Sequence, residues 1–545
     1  MDVDSAGLPA PDTYAVPAPP RAPRLALHVL RLGAIVAVLV VVTWKQFELD
    51  RFFVPKELTL HVTALLAGLL ALRAFRRTPF TRVDALLALY LLLGVVSAIF
   101  ATNGWFAVRA LTISASGIVI FWAARALRGE GYGWPILVAL ALAVVVAAAT
   151  ALLQTYGVRT DFFSLNRSPG GTLGNRNFVA HIAAFGLPIV LFVALGARRN
   201  AAFVLGLLGA TLVAAVLVLT RSRAGWLAAG AALLTFAVAF VLSPALRRHR
   251  RSLARFAIML LVAAAGIAAA VLAPNSLRWN TDSPYLESIR GVANYQEGSG
   301  RGRLVQYRQS LRMAAQHPLL GVGPGNWTVE YPDYAARRDP SLNGNEPGTT
   351  SNPWPSSDWI AFIAERGFIA TLLLALALTG ITIASFRRLR SAIASDEALG
   401  AAALIATLTA AVVAGIFDAV LLLALPTLFV WAALGALSPA DDSRFVPSHD
   451  AGRTAMLFLV AMLGAGIGGV RSATQLVAMG IHANSESVTW LSRASRIDPG
   501  NYRLHIRLAR SGSGLDRAAR CNHARAARNL MPNAEEANRL ARPCS

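Results

Sequence analysis

Two arginines, Arg221 and Arg223, stand one residue apart between two long apolar runs, in the stretch TRSRAGWLAAG (220–230). An arginine at the centre of a bilayer costs about 2.5 to 3.5 kcal/mol on insertion scales, so a pair at such a junction needs water or an anion. The guanidinium group suits phosphate because its planar fork donates two parallel hydrogen bonds and stays charged. The pair therefore predicts an anion site. The alternative is two side chains that extend to lipid head groups.

A second polar group lies in NRSPGGTLGNRNFVAH (166–181), where Asn175, Arg176 and Asn177 stand at the start of an apolar run. The glycines before them permit tight turns and close backbone approach. The start of a helix adds unpaired N–H groups and the positive end of the helix dipole, which favour an anion. The segment predicts either an anion-binding helix start or a simple capped helix.

Three carboxylates lie at or inside apolar runs. Asp358, in SNPWPSSDWIAFIAERGFIA (351–370), stands at the edge of a run, and Glu365 shares its helical face seven residues later. The leading alternative to a chemical role for Asp358 is a helix N-cap. Asp418, in GIFDAVLLLALP (415–426), is ionisable among apolar neighbours and is therefore predicted to be functional.

Four further residues are candidate ligands of the same anionic substrate. Lys56 stands at the outer end of an apolar run, where it pairs with a phosphate or extends to lipid head groups. Arg301 and Arg303 either extend the anion surface or lie on a solvated helix face. His317 is the first residue of HPLLGVGPGNW (317–327). No strand precedes the glycines of this motif, which argues against a nucleotide-binding loop and predicts a shaped turn. His317 is either structural or a base.

The apolar runs that carry these residues decide the class of protein. The 545 residues are 55% hydrophobic and 15% charged, and a helix needs about 20 apolar residues to cross a hydrocarbon core. The sequence therefore predicts an all-α polytopic membrane protein. We expect thirteen spans, at residues 25–44, 57–75, 83–101, 107–127, 134–156, 177–196, 201–219, 225–243, 255–273, 358–385, 398–417, 422–437 and 454–474.

The distribution of arginines predicts the orientation of the spans. Short cytoplasmic loops collect Lys and Arg, and one set of alternate loops is arginine-rich. The formal net charge of +22 does not gather on one patch, which excludes nucleic acid as a partner. We therefore expect a disordered, Pro-rich cytoplasmic N-terminus at 1–24, a transmembrane domain at 25–474 with a long outer loop at 274–357, and an outer tail at 475–545.

The tail carries two segments that resemble each other, SRASRIDPGNYRLHIRLA and ARAARNLMPNAEEANRLA. Their prolines, Pro499 and Pro532, are 33 residues apart, close to the tetratricopeptide period, so we predict a tetratricopeptide-like tail; the alternative is an unrelated helix pair. A hairpin that turns at Pro532 would place Cys521 beside Cys544. We predict a disulfide between them, in an oxidising compartment, and a tail that contacts a protein partner or a glycan.

Four motifs together resemble the O-antigen ligase and polymerase superfamily, which includes protein O-oligosaccharyltransferases: RSRAGWLA, GTLGNRNFVA, HPLLGVGPGN and DWIAFIAERGFIA. The resemblance covers roughly residues 30–440. It implies metal-independent, cofactor-free transfer of a glycan from undecaprenyl diphosphate at the periplasmic face of the bacterial inner membrane. The implied acceptor is a hydroxyl of lipid A core, of a growing glycan or of a protein. The resemblance assigns Arg221, Arg223 and Arg176 to diphosphate and glycan binding.

The sequence departs from the ligases at one position. Ligases of this family place a histidine near the end of the long loop to activate the acceptor, and here residues 355–358 read Pro, Ser, Ser, Asp. Either Asp358 or His317 does that work, or the activity differs. A polymerase of the same superfamily is the first alternative, and a non-enzymatic transporter or binding protein for polyisoprenoid-linked glycans is the second.

Overall fold

A computed structural model describes residues 21–76, 78–164, 166–291, 298–438 and 451–544. Of the N-terminal tail expected at 1–24, residues 1–20 lie outside this range, and residues 21–24 begin the first helix. The described chain is helical throughout, apart from turns and one isolated β-bridge between Leu342 and Thr350. The all-α fold expected from the apolar runs is confirmed.

The helices follow one another along the chain with short connections, except in the long loop. They are α1 (Arg21–Leu39), α2 (Asp50–Phe75), α3 (Arg82–Ile99), α4 (Gly104–Gly129), α5 (Gly133–Thr155), α6 (Arg176–Leu195), α7 (Asn200–Leu219), α8 (Arg223–Leu242), α9 (Pro244–Arg248), α10 (Arg250–Leu272), α11 (Pro284–Arg290), α12 (Gly298–Gln316), α13 (Trp327–Tyr334), α14 (Asp358–Ser391), α15 (Ser395–Phe417), α16 (Ala424–Leu437), α17 (Ala451–Asn484), α18 (Val488–Ile497), α19 (Tyr502–Ala509), α20 (Arg517–Leu530) and α21 (Glu535–Ala541).

Twelve of the described helices are long and apolar enough to cross a membrane, namely α1 to α8, α10, α14, α15 and α17. The most deeply buried of them is α6, whereas α10 lies at the periphery. Every residue of α16 is buried, against α2, α4, α5 and α15. The bundle is therefore built around α6 and α16, and the helices with apolar outer faces surround them.

The twelfth span expected, at 422–437, is only partly helical. α16 has 14 residues, which at 1.5 Å per residue spans about 21 Å, less than a hydrocarbon core of about 30 Å. A non-helical segment, residues 418–423, precedes it. Backbone N–H groups at membrane depth need partners inside the protein. The carboxylate of Asp358 supplies them, because it accepts hydrogen bonds from the backbone N–H groups of Val420 (2.9 Å), Leu421 (2.8 Å) and Leu422 (3.4 Å).

The long loop is fastened to a break in α14. Gly367 has a φ of 79°, which interrupts the helix, and the backbone N–H of Phe368 donates to the carbonyl of Pro318 at 2.9 Å. The Glu365 carboxylate accepts from the N–H groups of Gly325 (2.8 Å) and Trp327 (3.3 Å). The motif at 317–327 is therefore a shaped turn seated on α14, as its glycines predicted.

The C-terminal tail forms two successive helix pairs, α18 with α19 and α20 with α21, and packs on the long loop. The side-chain amide of Asn533 donates to the carbonyl of Val329 (3.1 Å) and to the carboxylate of Asp333 (2.9 Å). A disulfide joins Cys521 to Cys544, the pair that the sequence predicted. The tail and the loop therefore lie on the same face of the bundle.

Candidate functional site

Arg221 lies at the junction of α7 and α8 in an unusual backbone conformation. Its φ of 53° is in the left-handed region, the one such non-glycine residue in the described part of the chain. A residue held there costs about 1 to 3 kcal/mol, which the surrounding contacts must offset. The Arg221 Nε donates to the hydroxyl of Ser288 at 2.9 Å, and its guanidinium carbon is 4.7 Å from the ring centroid of Trp279. The junction therefore fixes the side chain against the long loop.

Arg223 is the first residue of α8, which Ser222 caps by accepting from the N–H of Gly225 at 3.4 Å. Its Nη1 donates to the carbonyl oxygen of Gly291. Ser288 and Gly291 belong to α11 and the residue after it, so both arginines are held by the same short stretch of loop.

Two more arginines complete the group. A cavity of about 530 Å³ is lined by Arg176, Arg221, Arg223, Arg278, Trp279, Asn280, Thr281, Glu287 and Ser288. Four arginines face one carboxylate there, so the cavity has a positive field. The guanidinium of Arg176 lies 5.1 Å from the Trp279 ring centroid, and the buried hydroxyl of Thr281 has no hydrogen-bond partner in the described part of the chain. The cavity is therefore built to receive an anion.

Hydroxyl-bearing and amide side chains line an adjoining cavity of about 290 Å³, which shares Arg176, Arg278 and Trp279 with the first. Gln154 organises its floor: its amide donates to the carbonyl of Ser164 (2.7 Å) and accepts from the N–H groups of Gly170 and Gly171, both at 2.8 Å. Burial raises the pKa of Tyr285, which lies close to Arg221, so its hydroxyl stays protonated at neutral pH. Polar groups with an indole beside them suit the hydroxyls and faces of sugars.

The sequence of the segment that carries the arginine pair also matches a known family. Residues 207–375 match the family model described as O-antigen ligase. The match supports the resemblance to the O-antigen ligase and polymerase superfamily that the sequence motifs indicated. No curated protein matches the chain. The ligase-family segment contains Arg221, Arg223, most of the 530 Å³ cavity, the long loop and the start of α14, and Arg176 contributes to the cavity from α6, outside the matched segment.

The start of α6 also lies outside the ligase-family segment and is a capped helix. The Asn175 side chain accepts from the N–H of Asn177 at 3.0 Å. The Asn177 side chain in turn donates to the carboxylate of Asp418 at 3.4 Å. His181, one turn further along α6, has its Nε2 3.7 Å from the same Asp418 oxygen. The structure therefore brings Asp418 to the start of α6, next to Arg176.

The other two candidate carboxylates, Asp358 and Glu365, are held by backbone groups. The Asp358 side chain is fully buried by its contacts with residues 420–422, and Ser357, not Asp358, caps α14 by accepting from the N–H of Ile360 at 3.4 Å. The N-cap interpretation of Asp358 is therefore wrong. Glu365 is bound to the turn at 325–327. Both contacts favour a structural role, in which the carboxylates fasten non-helical segments to α14.

Lys56 matches neither of its expected positions, at a phosphate or at lipid head groups. Its side chain is buried, and the ammonium group donates to the carbonyls of Val38 (3.2 Å) and Val40 (2.8 Å) at the end of α1. These carbonyls have no partner within the helix, because the last turn lacks the N–H groups that would follow. Lys56 therefore caps α1.

The long loop separates the remaining expected ligands. Arg301 and Arg303 lie in the first two turns of α12, and His317 follows its last residue, about 21 to 24 Å away along the helix axis. Arg301 and His317 are exposed, and Arg303 interacts electrostatically with His181. Arg303 is thus near the start of α6, and His317 is near the break in α14.

Three residues of the site escaped the sequence analysis, for identifiable reasons. Arg278 and Trp279 follow α10 in a segment with no repeating pattern, and their position became visible only in the folded chain. His181 was the last residue of the motif at 166–181 and is an ionisable residue inside an apolar run, the signal that singled out Asp418. In the described part of the chain, no three His, Cys, Asp or Glu side chains gather as metal ligands.

Proposed function

We propose that this protein transfers a glycan from undecaprenyl diphosphate to a hydroxyl acceptor at the periplasmic face of the bacterial inner membrane. The observation that carries the proposal is the cavity in which Arg176, Arg221, Arg223 and Arg278 converge. The family match adds that the segment with Arg221 and Arg223 is of the O-antigen ligase type. The cavity binds the diphosphate of the donor, and the adjoining cavity beside Gln154 receives the sugar units.

The chemistry of the donor fits these groups. When the acceptor oxygen attacks the first carbon of the glycan, the diphosphate leaves as an anion and needs stabilisation of its charge rather than a proton. Donors that are already aimed at the departing oxygen stabilise it without reorganisation. The forks of Arg221 and Arg223, held by Ser288 and Gly291, are such donors.

The proposed side of the membrane rests on charge and on the disulfide. Arginines gather at the junctions between α2 and α3 and between α6 and α7, and in the last turns of α14 before α15, as they do at cytoplasmic ends of spans. The long loop and the tail lie on the opposite ends of these helices. The disulfide between Cys521 and Cys544 suits an oxidising compartment.

Two activities are compatible with the proposed function, and they differ in the acceptor. A ligase transfers the glycan to lipid A core, and a polymerase transfers it to another lipid-linked glycan. The residues at 355–358, where ligases carry a histidine, favour a site that differs from theirs. In cells that lack the protein, loss of all glycan from lipid A indicates ligation, and a single-repeat band indicates polymerisation.

The transfer itself is tested with purified protein in lipid nanodiscs, in EDTA. The donor is the undecaprenyl-diphosphate glycan extracted from cells that lack the gene, and the acceptor is the unmodified lipopolysaccharide of the same cells. Wild-type protein is expected to form a new glycosidic bond. Arg221→Lys and Arg223→Lys keep the charge but lose the fork, so transfer falls by about 10²- to 10³-fold, as for other groups that stabilise a transition-state anion.

The matched control is Arg199→Lys, on an exposed arginine at the junction of α6 and α7. This variant is expected to retain wild-type transfer. Full activity of both Arg221→Lys and Arg223→Lys would refute the proposed diphosphate site. In sealed proteoliposomes, movement of the donor across the bilayer without a new bond would show a transporter instead.

A further inference from the structure

A polar group with an unusual environment lies where α6 meets the end of α15. Asn177 and His181 are four residues apart and face the same side of α6. The Asn177 amide is 3.4 Å, and the His181 Nε2 3.7 Å, from the same carboxylate oxygen of Asp418. His181 is completely buried, and neither of its ring nitrogens has a hydrogen bond in the described part of the chain. A buried, unsatisfied imidazole is costly in an apolar bundle and needs an explanation.

This group is next to the arginine cavity. α6, α8 and α15 pack against one another, and on one face of the bundle α6 begins at Arg176, α8 begins at Arg223 and α15 ends before Asp418. Packed helices lie about 8 to 10 Å apart, so the end of α15 that carries Asp418 is about one helix spacing from the first turns of α6 and α8, where Arg176 and Arg223 lie. An attacking hydroxyl at Asp418 and a leaving diphosphate at the arginines would therefore lie on two sides of one sugar.

The long loop covers the group from outside. The hydroxyl of Tyr307 in α12 is within hydrogen-bond distance of the carbonyls of Ile416 (2.7 Å) and Ser356 (2.8 Å). Arg303, one turn earlier on α12, is the charged residue that faces His181 from the loop, and Asp358 is the charged neighbour from α14. The Asp418 side chain nevertheless remains 15% exposed. A hydroxyl can therefore reach its carboxylate.

The two aspartates of this region differ in what their oxygens do. Both oxygens of Asp358 accept hydrogen bonds from backbone N–H groups, so this carboxylate is committed to contacts within the protein. Asp418 accepts one short bond, from the N–H of Ala419 at 2.9 Å, and the longer one from Asn177. Asp418 therefore has acceptor capacity left for a substrate proton.

We infer that Asp418 is the general base that activates the acceptor hydroxyl, with Asn177 and His181 as positioning residues; this rests on the proposed glycan transfer. In the step, a lone pair of the acceptor oxygen forms the bond to the first carbon of the donor glycan. The bond from that carbon to the phosphate oxygen breaks, and its electron pair leaves on the diphosphate, at the arginines. The hydroxyl proton moves to the Asp418 carboxylate and from there to water.

The competing explanation is a purely structural link between α6 and α15. Azide separates the two, because it is an anionic nucleophile that needs no base. Asp418→Ala is expected to bind the extracted donor with wild-type affinity and to lose transfer to the hydroxyl acceptor by about 10²- to 10⁴-fold, the contribution typical of a general base. The same variant should form the glycosyl azide at about the wild-type rate. Asp396→Ala, at the exposed start of α15, is the control that keeps full transfer.

His181 has a different expected signature because its buried ring cannot touch the acceptor. His181→Gln should lower kcat, leave the KM for the donor unchanged and shift the acidic limb of the pH–rate profile, since the ring sets the environment of the Asp418 carboxylate. A lower kcat with an unshifted pH profile would assign His181 to structure alone.

The outcomes distinguish this inference from the proposed function. Wild-type protein that binds no donor and forms no glycosidic bond refutes the proposed function. Wild-type transfer together with full activity of Asp418→Ala overturns the inference alone. So does an Asp418→Ala protein that unfolds at the wild-type temperature and binds donor, but uses neither the hydroxyl nor azide.

Discussion

Arg176 and Arg221 lie against the same indole, with their guanidinium carbons 5.1 and 4.7 Å from the ring centroid of Trp279. The two residues come from different helices, and the long loop supplies the ring between them. Like charges repel, so an aromatic ring that attracts both cations stabilises an arrangement that an anion then completes.

Removal of this ring is expected to weaken donor binding. Trp279→Ala loses two cation–π contacts, worth about 0.5 to 1 kcal/mol each, so the dissociation constant of the extracted donor rises by about 5- to 30-fold. Trp279→Phe keeps an aromatic face and should recover most of the affinity. Trp490→Ala is the matched control, because that ring pairs with Arg493 in the tail at 4.7 Å. Equal affinities of Trp279→Ala and wild type would contradict the arrangement.

The left-handed backbone at Arg221 predicts that two variants of this residue differ in stability but not in activity. Arg221→Gly and Arg221→Ala both lose the side chain, but only glycine adopts a φ of 53° without strain. The glycine variant is therefore expected to unfold at a higher temperature than the alanine variant, by about 1 kcal/mol of stability, while both lose transfer. Thermal unfolding in detergent, beside the transfer assay, measures this. A more stable alanine variant would show that the left-handed conformation is not strained.

Asp358 is expected to matter for folding rather than for proton transfer. Asp358→Asn leaves one oxygen where two accept the N–H groups of residues 420–422, so stability should fall by about 1 to 3 kcal/mol. Asp418→Asn, on a partly exposed carboxylate, should unfold close to wild type. An Asp358→Asn protein with normal unfolding and no transfer would instead support Asp358 as the base.

A pair of histidines predicts that the stability of the tail depends on pH. The Nδ1 atoms of His505 and His523 are 2.9 Å apart, and burial lowers the pKa of both rings. A lowered pKa in the folded state means that the unfolded tail binds more protons, so stability is complete above the ordinary pKa near 6.5 and falls as the pH decreases below it. The slope is at most about 1.4 kcal/mol per pH unit for each ring. Hydrogen exchange of α19 and α20 at pH 7.5 and 5 should show the loss, and His523→Phe should reduce it.

The disulfide offers a direct test of orientation. In intact spheroplasts, an impermeant reductant followed by an impermeant maleimide should label Cys521 and Cys544 if the tail faces outward, as we propose. The double variant with serine at both positions is the background control. Labelling that requires permeabilised membranes would place the tail, and with it the long loop, on the cytoplasmic side.

The spans and the loop were predictable because they depend on local composition. Apolar runs of helical length set the positions of the helices, and the spacing of Cys521 and Cys544 about Pro532 was enough to pair them. α16 was not predictable to its boundaries, since residues 422–437 are uniformly apolar. The start of α16 depends on Asp358, which is distant in sequence and accepts hydrogen bonds from the N–H groups of residues 420–422, just before the helix.

Part of the candidate site was also predictable from the sequence, and part was not. The arginine pair stood out because a cation beside an apolar run needs a partner, and Arg176 stood out at a helix start. Arg278 and Trp279 carry no such signal, because an arginine and a tryptophan after a span are common at membrane surfaces. The position of Lys56 was predicted wrongly, although a lysine at the end of an apolar run clearly needs a partner. Its partners are carbonyls at the end of α1, and no feature of the sequence identifies them.

The position of Asn533 has a consequence for how the protein matures. This residue follows every helix of the bundle in the sequence and holds α13 of the long loop through Val329 and Asp333. The ribosome therefore completes the bundle, the arginine junction and the loop well before the residue that clamps the loop is synthesised. The outer surface takes its final shape only after synthesis has passed Asn533, so a translation product that stops between α17 and α20 would contain every helix of the bundle and still lack the contact that holds the loop.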